Sequence, residues 1–304
     1  MKRSIFALFA LSILSSTVAI AQPKEDFPFV TVPHYIADDW DSKAEWVALH
    51  FWDKYDFSAC EKRYDEATNK RGFATFISTL YATTPQHSFK AIAAMMTKAA
   101  SNEEGYWYFL EMAEEALYDP NSTIRNDLLW EQFVRHAVGE KSPIDEPSKE
   151  RYRSLLSLVS RNQQGAVAHD FTYTLADGTQ GTLHTISAPY TVLFFYNPDC
   201  GECARTKAEI VATGYLEILH SVGALEVLAL YPNGDIEEWR NNLSNNPSWW
   251  ITAYDKEQKI NHRGLYDLKA YPTIYLLDSQ KRVLMKDPTV ETFLGALERI
   301  LMEN

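Results

Sequence analysis

The stretch Phe194-Phe195-Tyr196-Asn197-Pro198-Asp199-Cys200-Gly201-Glu202-Cys203 decides how this chain is read. Tyr190 to Tyr196 is an apolar run, the pattern of a central strand buried on both faces. It stops at a turn, and two cysteines follow with two residues between them. A helical stretch then runs from about Cys203 to His220. The pair therefore sits where a buried strand ends and a helix begins. In open α/β sheets, ligands and chemistry collect at that edge. A helix N-terminus offers unpaired N–H groups and a partial positive charge, and both stabilise a thiolate. Cys200, the first and more exposed cysteine, is read as the nucleophile. Cys203 lies one turn on, close enough to attack a mixed disulfide at Cys200 and release the product.

Two other uses of the pair fit less well. A zinc site needs about four ligands. Cys60 and the isolated His169, His184, His220 and His262 offer no second pair at metal spacing. A structural disulfide across two residues closes too small a loop to stabilise much. The chain has 3 cysteines, which suggests one functional pair and one spare. Cys60 is read as a buried, inert thiol, with an intermolecular disulfide as the alternative.

The rest of the C-terminal half follows the same rhythm. Phe171 to Leu175 alternates like a strand, and Asp177-Gly178 signals a hairpin. Leu225 to Tyr231 reads as a second buried strand, closed by Pro232-Asn233-Gly234. A helix over Ile236 to Leu243 and a strand over Trp249 to Tyr254 come next. Thr273 to Leu277 and Arg282 to Met285 flank a turn at Asp278-Ser279-Gln280. Val290 to Met302 closes as an amphipathic helix. Strands alternating with helices imply a parallel sheet covered on both faces, and the trailing hairpin adds an antiparallel edge.

From about residue 38 to 164 the period is helical instead. Asp41-Ser42 can cap a helix carrying Trp46, Leu49, Trp52 and Tyr55. Phe73, Phe76, Ile77, Leu80 and Tyr81 fall on one face, and similar stripes recur to Val159. An irregular all-α bundle follows, with its aromatics as core. Trp46, His50, Trp52 and Tyr55 could alternatively line a groove.

Apolar residues make up 46% of the 304-residue chain and charged residues 23%, which is globular material. The formal charge of −12 argues against a nucleic-acid partner and provides no basic patch for anionic membranes. Lys2 and Arg3 precede a short apolar run, and Ala19-Ile20-Ala21 fits a leader cleavage site. Residues 1–21 are thus expected to be a signal peptide, with the mature chain starting at Gln22. No later stretch is apolar enough to anchor it in a bilayer. The expected location is the periplasm, where disulfides can form. The expected domains are helical over 22–164 and α/β over 165–304.

Residues 166–304 resemble the thioredoxin-like superfamily, most closely its exported TlpA/ResA branch. The resemblance is carried by His169-Asp170-Phe171-Thr172, Phe194-Phe195-Tyr196, Cys200-Gly201-Glu202-Cys203 and Tyr271-Pro272-Thr273-Ile274-Tyr275-Leu276-Leu277-Asp278. It implies a cis-proline at Pro272 facing the cysteine pair, with Pro272 and Thr273 guiding the substrate backbone. The helical half, through Phe51-Trp52-Asp53-Lys54-Tyr55-Asp56-Phe57, resembles an uncharacterised domain found ahead of such modules in Bacteroidetes. That implies a partner- or substrate-selecting role at most. The chain departs from the family twice. Asp199 stands where an aromatic is usual, and Phe194 stands where thioredoxin carries a buried acid.

The reading is an exported thiol–disulfide oxidoreductase with no metal or organic cofactor, using a Cys200–Cys203 disulfide. Its expected partners are protein thiols or disulfides and a membrane or soluble thiol electron donor. Asp199 and Glu202 flank Cys200, oppose its thiolate and so favour a reductase. A scaffold protein with a non-catalytic CxxC is the alternative, which Asp199 keeps alive. A peroxidase of the peroxiredoxin type fits less well, because its usual proline-threonine approach to a single cysteine is not seen in Asn197-Pro198-Asp199-Cys200.

Overall fold

The computed structural model describes residues 24–59, 63–233 and 235–303. The expected leader, Cys60 and Gly234 lie outside the described residues.

The helical half contains α1 (Trp40–His50), α2 (Glu66–Tyr81), α3 (Pro85–Ala99), α4 (Glu103–Leu117), α5 (Asp127–Ala137) and α6 (Glu146–Val159). Each starts on a side chain that accepts a first-turn N–H: Asp39, Asp65, Thr84, Asn102, Asn126 and Asp145. The cap of α1 is therefore Asp39 and not Asp41-Ser42. This helix also stops at His50, so Trp52 and Tyr55 leave it. Burial drives that outcome. Trp52 enters the core, with the rings of Tyr55, Phe57, Phe76 and Phe109 centred 5.0–5.6 Å away. Trp46 and His50 stack on each other. Two members of the suggested aromatic groove are thus core side chains. Tyr81 departs from the buried face of α2 and is exposed.

The C-terminal half begins with β1 (Thr172–Thr174) and β2 (Gln180–Thr182), then β3 (Tyr190–Phe195), α7 (Gly201–Ala212) and α8 (Tyr215–Ser221). It continues with β4 (Leu225–Tyr231), α9 (Ile236–Asn241), β5 (Ile251–Tyr254) and α10 (Lys259–His262). The chain ends with β6 (Thr273–Leu277), β7 (Val283–Lys286) and α11 (Val290–Glu303). The single helix expected after Cys203 is broken at Gly214, whose φ of 72° turns the chain.

The strands form one seven-stranded sheet in the order β2-β1-β5-β4-β3-β6-β7. β3, β4 and β5 are parallel; the hairpins at both edges are antiparallel. The period of two divides the sheet into two cores. Val192, Phe194, Val227, Ala229 and Leu276 face α7, α8 and α11. Leu193, Phe195, Leu228, Leu230 and Leu277 face Ile260 of α10 and the Phe171 segment.

The helical core draws only on residues before 160, and both sheet cores only on residues after 167. The seam between the halves is polar. Asp127 of α5 binds Lys269 at 2.5 Å and Lys286 at 2.9 Å. The Lys269 ammonium also sits 4.6 Å above the Tyr118 ring, whose hydroxyl donates to Asp267.

Candidate functional site

β3 lies inside the sheet, parallel to β4 on one side and antiparallel to β6 on the other. Its apolar run ends at Phe195, and the chain turns through Tyr196–Asp199 into α7. Cys200 is the N-cap of that helix. Its sulfur accepts the backbone N–H of Cys203 at 3.0 Å. That is one of the donors a helix leaves unpaired in its first turn. Cys200 and Cys203 are joined as a disulfide, their Cα atoms 5.2 Å apart. Cys200 is half-buried, while Cys203 is 3% exposed and packs into the sheet core. The more accessible sulfur is therefore the one at the helix end.

The opposing wall is the segment leading into β6. The Tyr271–Pro272 peptide is cis. Cys200 Sγ lies 3.5 Å from the Tyr271 carbonyl oxygen. Thr273 is buried, and its hydroxyl donates to the Ala270 carbonyl. Its side chain thus braces the loop from within.

The two flanking acids differ. Asp199 is exposed beside the pair. Glu202 is also exposed, but Arg205 one turn on binds both of its oxygens. The Arg205 hydrogen bond and charge hold its carboxyl below the usual range. Glu202 therefore acts as half of a surface ion pair more than as a free negative charge.

Lys207 was not singled out by sequence reasoning. It lies four residues after Cys203 on α7, and this spacing was the available signal. It lines a small cavity of about 180 Å³ with both cysteines. Its ammonium donates to the Asn245 carbonyl at 2.6 Å and to the Asn246 side chain at 2.9 Å. Burial holds its pKa below the ordinary lysine value. Asn246 in turn donates to the hydroxyl of Tyr196, which burial pushes up to about 12.

The histidines remain apart from the pair. His169 meets Asn162, His184 meets the Ala168 carbonyl, and His220 stacks on Trp249. Among the described residues, no three His, Cys, Asp or Glu side chains come together as a metal site would need.

A disulfide at a strand-to-helix junction, faced by the Tyr271–Pro272 loop on a mixed sheet, is the arrangement of a thioredoxin-like module. The crystal structure of a thioredoxin-like protein from Bacteroides caccae is 30% identical, covers 91% of this chain and 99% of its own, and superposes with a TM-score of 0.85. The C-terminal domain of an uncharacterized protein from Bacteroides fragilis is 39% identical over 45% of this chain and 98% of its own, with a TM-score of 0.44. The thioredoxin domain of a thiol-disulfide oxidoreductase from Bacteroides vulgatus is 17% identical over 45% of this chain and 96% of its own, with a TM-score of 0.40. The family model described as a domain of unknown function, DUF5106, matches residues 11–162. No curated protein matches. The chain belongs to the thioredoxin-like proteins, with a DUF5106 domain ahead of its thioredoxin-like module.

Proposed function

We propose that this chain is an exported thiol–disulfide oxidoreductase that reduces disulfides in other proteins. The carrying observation is the Cys200–Cys203 disulfide, with the accessible sulfur at a helix N-terminus and against the Tyr271–Pro272 loop. In the reduced protein, the Cys200 thiolate attacks one sulfur of a substrate disulfide. That S–S bond breaks, and the other substrate sulfur leaves as a thiolate and takes up a proton. The deprotonated Cys203 sulfur then attacks Cys200 and expels the second substrate thiolate. The substrate gains two electrons and two protons, and the pair returns to the disulfide. A membrane or soluble thiol protein supplies the next two electrons. Pro272 presents backbone to the substrate, and Thr273 holds that backbone in place. Residues 1–21 direct export to the periplasm, residues 22–164 form the helical domain, and residues 165–304 carry the exchange.

Insulin reduction with dithiothreitol as donor tests this. The wild type should accelerate it, Cys200→Ala should abolish the effect, and Cys203→Ala should accumulate mixed disulfides with substrate. Absence of acceleration by the wild type would favour the scaffold reading. Selective alkylation of Cys203 in the reduced native protein, with Cys200 untouched, would reverse the two roles.

A further inference from the structure

Two hollows lie end to end along the seam between the halves. The first, of about 430 Å³, starts at the exchange site: Pro272, Glu202 and Thr206 line one side, Pro120 and Asn121 of the helical half the other. The second, of about 530 Å³, continues it; Arg125, Asp287, Pro288 and Thr289 line both. The Arg125 guanidinium is fully engaged, donating to the carbonyls of Pro120, Asp287 and Pro288. It forms part of the floor and stitches the halves together there. The far hollow has a different character. Tyr81, Ile124 and Leu128 line it, and they stay 56%, 39% and 38% exposed. Large apolar side chains gathered in a concave place favour a partner that covers them.

We propose that this seam is the substrate groove. An extended polypeptide segment lies along it, with its cysteine at Cys200 and an apolar side chain, some residues away, in the hollow of Tyr81, Ile124 and Leu128. The occupant follows from continuity. The near hollow opens at Pro272, and the carbonyl before that proline is 3.5 Å from the Cys200 sulfur. An extended chain held there advances by ~3.3 Å per residue, and the shared lining of Arg125, Asp287, Pro288 and Thr289 leads it from the near hollow into the far one. The inference rests on the exchange reading above and adds that the helical half selects the substrate.

Labelled peptides in which serine replaces the cysteine read the groove without any exchange. In a series carrying one leucine at each second position on either side of the serine, one position should bind the full-length protein about tenfold tighter than an all-polar peptide, measured by fluorescence anisotropy. Ile124→Glu and Tyr81→Ser should each remove that advantage. Both side chains are exposed, so neither change threatens the core. Equal binding across the series, or an advantage that survives in both variants, overturns the groove. Reduction of the same peptides in their cystine form reads the dithiol separately. Binding with positional preference but no reduction sinks the exchange reading and keeps the groove. Reduction without positional preference does the reverse.

Discussion

Around Cys200 and Cys203, two opposite charges compete for one sulfur pair. Asp199 opposes a thiolate beside it. Lys207, across a small cavity from both sulfurs, favours one. Stabilising the thiolate stabilises the reduced pair and makes it the stronger oxidant. The sequence reading counted Glu202 with Asp199, but Arg205 neutralises Glu202. Asp199→Asn should therefore make the reduction potential less negative, and Glu202→Gln should move it less. An exposed charge is worth at most ~1 kcal/mol. With ~30 mV corresponding to ~1.4 kcal/mol, the Asp199 shift is bounded at roughly 20 mV. Lys207→Met should move the potential the other way, to more negative values. Redox titration against glutathione measures all three. A Glu202→Gln shift larger than that of Asp199→Asn would show that the Arg205 pair does not form in solution. A less negative Lys207→Met potential would remove Lys207 from the site.

At the scale of elements, backbone geometry divides two glycines that look alike in sequence. Gly201 opens α7 without a positive φ, and an added methyl group there meets nothing within 4 Å. Gly214, between α7 and α8, also has open space but sits at a φ of 72°. Gly214→Ala should cost ~1–2 kcal/mol through the left-handed backbone alone. Gly201→Ala should be neutral or add ~0.4–1 kcal/mol by restricting the unfolded chain. Urea unfolding of the oxidised protein separates them, and equal effects would contradict the assigned geometry. The same contrast explains what could be read in advance. The strand, the cysteine pair and the closing hairpin were legible because a doubly buried strand leaves an apolar run and a turn leaves its own residues. The break at Gly214 was not legible, because one glycine inside a helical pattern does not declare the sign of its φ. The end of α1 was hidden for another reason. Trp52 and Tyr55 continue a helical spacing, yet they reach the core from a turn. Lys207 and the seam residues were invisible because each matters only through a distant segment.

For the whole molecule, the question is what joins two halves that do not share a core. Asp127 is nearly buried, and burial alone would raise its pKa, but Lys286 and Lys269 outweigh this and hold it below the ordinary 3.8. A carboxyl lowered on folding contributes stability that is fully present above its unfolded pKa and lost as pH falls through the folded value. Asp267 and Asp287 behave oppositely, because burial holds both above the ordinary range. Their contribution is present below the unfolded pKa and fades as pH rises through their raised values. The seam is therefore weakened from both sides, and its tightest state lies near the ordinary carboxyl value of 3.8. Removing one member of a buried ion pair typically costs ~3–5 kcal/mol, since its partners remain buried and charged. Asp127→Asn should thus destabilise the protein by about that amount at pH 7 and flatten the loss that the wild type shows below pH ~4. The separate cores should keep each half folded when the seam fails, so unfolding in urea should split into two transitions in the variant. A fragment starting near residue 165 should likewise fold and exchange disulfides, with Lys269 and Lys286 newly exposed. Urea curves of both chains at pH 3, 5 and 7 test the sequence of events. A variant that still unfolds in one step, with its full acid sensitivity retained, would mean that Asp127 does not hold the halves together.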